Sequence, residues 1–190
     1  MRRVQALRGR TFFGTLDDYT NDQYDFLLRV QSGAVLNLAG ATQEVSEVTG
    51  EGSLGSGTAQ VKVALNPGDS PSSPAGALLT VTDNLTLGTN MTYVCDWTPG
   101  ANDLVEVWGK LTVAGAGTVD LGLTSPSQMP GSPRLKSFPV MYYTDIENAS
   151  NLSQWRVTGI GRTAAASVTA VDGAVWVNLD VPSGTLLLMK

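Results

Sequence analysis

The chain has 190 residues, with 12 Lys and Arg against 17 Asp and Glu, a net charge of −5, 42% hydrophobic residues and no histidine. That length suits one domain, or one domain with an appended arm, and is long enough to bury a core. Without histidine the commonest general base and metal ligand is missing, and the single Cys95 can neither close an internal disulfide nor complete a structural zinc site. Together these absences argue against Ser-His-Asp, Cys-His, zinc-hydrolase and di-iron chemistry.

At the N-terminus, residues 1–10 hold Arg2, Arg3, Arg8 and Arg10 and no acid, which leaves 8 basic and 17 acidic groups on the rest of the chain. A short basic arm on an acidic body suits an acidic protein surface or a phosphate backbone, or it simply keeps a terminus soluble. The few scattered lysines of the body (Lys62, Lys110, Lys136, Lys190) disfavour a nucleic-acid partner. No N-terminal apolar segment with a cleavage site precedes the body, and no run approaches the ~18 apolar residues of a membrane span. Asp17, Asp18, Asp22 and Asp25 follow; they are oxygen ligands without calcium-loop spacing, and they read as a solvated turn. Thr20 to Val30 is the best helical candidate, with Tyr24, Leu27 and Leu28 on one face. The expected division is an arm with its acidic turn at 1–30 and one domain at 31–190.

Beyond residue 30 the apolar segments are short, rich in Val, Leu and Thr, and bounded by Gly, Pro, Asn or Asp, the punctuation of an all-β chain. Strands are expected at 11–16, 34–38, 59–65, 77–82, 91–97, 138–144, 155–160 and 185–189. Asp103 to Val113 alternates cleanly, with Val105, Val107, Leu111 and Val113 on the core side and Glu106, Trp108, Lys110 and Thr112 on the other. The turn Ala114-Gly115-Ala116-Gly117 then suggests a hairpin with Val119, Leu121 and Leu123. A second hairpin centres on Asp172-Gly173, a type I′ signal that pairs Val168 with Val177 and Thr169 with Trp176. Residues 49–58, 66–76 and 125–133 read as long loops. The expected fold is all-β, a jelly-roll-like β-sandwich or barrel with an extended N-terminal arm.

Candidate chemistry is sparse. Asp145 with Glu147, and Asp96 with Asp103, are nominal carboxylate pairs of the kind chance supplies among 17 acids. No phosphate-binding loop, dinucleotide fingerprint or nucleophile elbow occurs, and Gly159-Ile160-Gly161 marks a bulge rather than a cradle. No catalytic residue, metal or cofactor is expected, and Cys95 reads as a buried thiol. The aromatics carry the surface signal: Trp108 and Trp176 fall on polar faces and Trp155 near a strand end, where each can fill an interface or stack on a glycan.

A basic arm, a dozen short Val/Thr-rich strands and long Gly/Pro/Ser loops together resemble, in architecture, the jelly-roll virion proteins of viruses and tailed phages: capsid decoration or cement proteins, fibre heads and small coat proteins. Residues 111–189 carry most of the likeness, above all the stretch from Gly159 to Val181. The resemblance implies a non-enzymatic capsid decoration subunit, a homotrimer located on the virion. Its partner would be the major capsid protein or another virion protein. Arg2, Arg3, Arg8 and Arg10 would meet an acidic shell and Phe12 and Phe13 would anchor the arm. The alternative it implies is a carbohydrate- or receptor-binding fibre head that uses Trp108, Trp155 or Trp176.

Overall fold

A computed structural model describes residues 2–6, 11–13, 26–68, 75–98, 100–122, 135–160 and 165–180. These residues are mostly β-strand, with one short 3-10 helix at Ala149–Gln154. The chain is all-β, as its alternation and turn residues indicate.

The strands pair mostly in parallel, between segments separated by a full circuit of the chain, so successive passes stack as a solenoid with three walls. Wall 1 runs β1 (Arg2–Ala6), β3 (Phe26–Val30), the second half of β5 (Thr42–Gly50), the second half of β7 (Thr58–Pro67), β10 (Met91–Val94), β14 (Gly117–Asp120) and β16 (Arg156–Thr158). Wall 2 runs β2 (Thr11–Phe13), β4 (Val35–Asn37), β6 (Ser53–Gly55), β8 (Leu78–Val81), the first half of β13 (Leu104–Val113) and the first half of β15 (Leu135–Glu147). Wall 3 joins the first halves of β5 and β7, then β9 (Asn84–Leu87) and the second halves of β13 and β15. Bends within β5, β7 and β13 carry one wall into the next.

Side chains pointing inward stack in ladders. Leu28, Val48, Leu65, Tyr93 and Val119 line wall 1; Leu36, Leu54, Val81 and Val107 line wall 2; Ala59, Leu85 and Leu111 line wall 3. All are buried, and each Leu or Val removed from water contributes roughly 1.5–3 kcal/mol before entropy is counted. At the C-terminal end β17 (Ala165–Val171) and β18 (Ala174–Asp180) form an antiparallel hairpin that pairs with β15 and extends wall 2. Its register follows from the Asp172-Gly173 turn: Val168 faces Val177 and Thr169 faces Trp176, with φ of 51° and 77° at the two turn residues.

Four expectations are corrected. Jelly rolls and sandwiches pair antiparallel, whereas only β11 (Trp97–Thr98) with β12 (Ala101–Asn102), β15 with β18 and β17 with β18 do so among the described strands. Residues 104–113 and 117–120 are not a hairpin: β13 turns the corner and β14 pairs with β10 and β16 instead. Residues 26–30 of the helical candidate form strand β3, and within the supposed loop at 49–58 the short strand β6 continues wall 2. The expected strand at 185–189 and the loop at 125–133 lie outside the described residues.

Candidate functional site: the outer side of wall 2

Successive passes connect wall 1 to wall 2 through residues 7–10, 31–34, 51–52, 68–77, 95–103 and 121–134, of which 31–34, 51–52, 68, 75–77, 95–98, 100–103 and 121–122 are described. They are short in the early passes and long in the later ones. A loop set repeated at one corner lines one side of a solenoid, and binding functions concentrate there. Asp103 ties this corner together. Its Oδ1 accepts hydrogen bonds from the backbone N–H groups of Gly76 and Ala77, both at 2.9 Å, and its Oδ2 accepts one from Asp96 N–H at 3.1 Å. Burial pushes the Asp103 carboxyl above the ordinary carboxylate range while those three donors pull it back. Asp96 is raised too, by burial and then by the charges of Asp103 and Asp120. The Asp103 carboxylate thus latches the corner, while Asp96 takes part through its backbone N–H and C=O.

Beneath them Tyr93 lies fully buried with its hydroxyl 3.0 Å from the carbonyl oxygens of both Asp103 and Val140, which links neighbouring passes. Cys95 is buried beside it, as expected, and burial raises its thiol pKa far above the usual value. Trp97 packs on Phe138 at 5.9 Å between ring centres.

Next to this corner, the outer side of wall 2 interleaves exposed apolar and polar side chains. Val35, Ser53, Thr80, Glu106 and Tyr142 form one outward row, and Leu78 beside Leu104 forms part of a second. Trp108 stands at the bend of β13, two residues beyond Glu106 and one strand over from Tyr142. Its side chain is 57% exposed, that of Tyr142 41% and that of Leu78 43%. The outer side of wall 3 is different in kind. There Thr42, Thr58, Asn84, Lys110 and Asp145 form one row and Glu44, Gln60, Thr86, Thr112 and Glu147 the other, with ion pairs Lys62–Glu44 at 3.1 Å and Lys110–Glu147 at 2.8 Å. Asp145 and Glu147 thus sit on a solvated, salt-bridged face.

The tryptophans separate accordingly. Trp108 is exposed as its alternation indicates. Trp176 is half-buried on the outer side of β18, its indole N–H donating to Val171 O at 3.3 Å, and it extends the aromatic strip of wall 2. Trp155 is corrected: at 5% exposure its ring packs under Gly117 and its N–H donates to Gly115 O at 2.9 Å, so it cannot stack on a ligand. Arg2 and Arg3 lie in β1 and Phe12 and Phe13 in β2, each strand paired in parallel with the next pass. Arg8, Arg10 and the acids Asp17, Asp18, Asp22 and Asp25 lie outside the described residues. Sequence reasoning missed Tyr142, Leu78 and Leu104. For Leu78 and Leu104 the signal was a spacing of 26 residues, with Val81, Leu85, Thr86 and Thr92 repeated as Val107, Leu111, Thr112 and Thr118; the next pass to Tyr142 is longer.

No protein-family profile, curated protein or solved structure matches this chain.

Proposed function

We propose that this chain is a non-enzymatic attachment protein of a virion and that it binds its target through the outer side of wall 2. The observation that carries this reading is that Trp108, Tyr142, Leu78 and Val35, four of the six large hydrophobic side chains exposed among the described residues, lie along wall 2 and its bend, while the outward rows of wall 3 are polar. Exposed apolar surface concentrated in one patch marks a contact surface, and aromatic side chains dominate the energy of such contacts. Glu106 and Thr80, interleaved in the same rows, supply the polar groups that orient a ligand such as a cell-surface glycan. A shape fixed by stacked ladders loses little entropy on binding.

The decoration-subunit reading has its own support. Strand β1, which holds Arg2 and Arg3, pairs only with β3 among the described strands, and a strand edge that no described strand covers is a place where a partner can add. In that case wall 2 is the interface between subunits of an oligomer, expected as a homotrimer.

A glycan array probed with the wild-type chain and with Trp108→Ser decides between them. Attachment through wall 2 gives binding to one glycan class, lost in Trp108→Ser. Array binding that is unchanged in this variant overturns the proposal. Absence of glycan binding, with a wild-type trimer by light scattering that Trp108→Ser dissociates, favours the decoration subunit.

A further inference from the structure

A second site lies on the opposite side of the molecule, at the corner between walls 3 and 1. Asn90, Ala116, Gly117, Thr118, Gln154 and Arg156 line a groove of about 500 Å³ there, within the size range of small-molecule sites. Three successive passes build it. Asn90 comes from the turn before β10, Ala116 to Thr118 from the start of β14, and Gln154 and Arg156 from the end of the 3-10 helix and from β16. Thr118 and Arg156 are register partners pointing outward.

The groove is held rigidly. Asn90 adopts a left-handed conformation with φ of 62° and donates its backbone N–H to Ala116 O at 2.6 Å. The Asn151 side chain donates to Val113 O at 2.8 Å and the Trp155 indole to Gly115 O at 2.9 Å, fixing the 3-10 segment against the corner. Gly117 covers the Trp155 ring so closely that a Cβ there would lie 2.6 Å from it.

We propose that this groove binds a carboxylate-bearing sugar, independently of the attachment surface on wall 2. The Arg156 guanidinium is exposed, and no carboxylate among the described residues pairs with it, so its planar fork is available to a ligand carboxylate. The carboxamides of Asn90 and Gln154 and the hydroxyl of Thr118 both donate and accept, which is what ring hydroxyls require. The groove holds one cation, and Asp120 lies two residues along the same side of β14, so a singly charged ligand fits better than a phosphate dianion.

Ligand-observed NMR and calorimetry with glucuronic acid, glucose and inorganic phosphate test this on the full chain, using wild type, Arg156→Gln and Trp108→Ser, each checked for folding by circular dichroism. The expected result is saturable binding of glucuronic acid, stronger than that of glucose by about tenfold, the scale of one charge-assisted bidentate contact. Arg156→Gln abolishes that preference and Trp108→Ser leaves it intact. The proposal is overturned if wild type fails to bind glucuronic acid, if Arg156→Gln binds it equally well, or if phosphate binds more tightly. Loss of glucuronic acid binding in Trp108→Ser overturns it too, because the sugar then sits on wall 2.

Discussion

Leu85 and Leu111 are register partners in adjacent parallel strands, both entirely buried, although a full pass of the chain separates them. Ala59 precedes them in the same ladder. Each therefore packs on the pass before and the pass after. Leu85→Ala and Leu111→Ala are each expected to cost about 2–5 kcal/mol in denaturant unfolding. Because they share one contact, the double variant should lose less than the sum.

Why the strands but not their pairing were legible follows from such ladders. A solenoid wall has one side in the core and one in water, so Leu104–Val113 alternates with period two just as an antiparallel edge would. Period two identifies a half-buried strand and says nothing about its partner. The Asp172-Gly173 hairpin was fully legible because its pairing is local and the turn sets the register. Residues 42–50 escaped notice because Glu44, Ser46 and Glu47 dilute the apolar pattern on the solvent side, while Gln43 takes an inward position. Trp108 was legible as outward-facing; Tyr142 was not, since only stacking brings β15 beside β13.

The Tyr93, Cys95 and Asp103 cluster makes the loop corner rigid. Cys95 has no solvent exposure and its thiol titrates well above the usual range, so it should resist thiol reagents in the folded chain and react on unfolding. Rapid labelling of native protein, followed by mass spectrometry, would contradict the buried placement.

Asp103 has a distinct pH signature. Its folded pKa lies above the ordinary value of 3.8, so the folded state binds the proton more readily than the unfolded chain. That contribution is complete below 3.8 and is lost as pH rises through the folded pKa. On acidification from neutrality to about pH 4, the thermal midpoint of wild type should therefore gain relative to Asp103→Asn. A shift in favour of the variant would show that the carboxyl is not raised.

The closing hairpin depends on left-handed backbone at both turn residues. Gly173→Val places a β-branched side chain at φ of 77°, and it should destabilise the fold by about 1–3 kcal/mol in urea unfolding. Trp108→Ser, on an exposed side chain, should by contrast change stability by less than about 0.5 kcal/mol.

Everything proposed for wall 2 depends on passes stacking in parallel, because only stacking gathers Trp108, Tyr142, Leu78 and the loop corner on one side. Thr86 and Thr112 test it most directly: they are outward register partners on wall 3, in neighbouring parallel strands roughly 4.8 Å apart, within disulfide reach. In a Cys95→Ser background, Thr86→Cys with Thr112→Cys should form an intramolecular disulfide under mild oxidation. Trypsin cleavage after Lys110 separates the two cysteines, so mass spectrometry should find their peptides joined. Free thiols, or cross-links only between molecules, would contradict the stacked fold and the contact surface built on it.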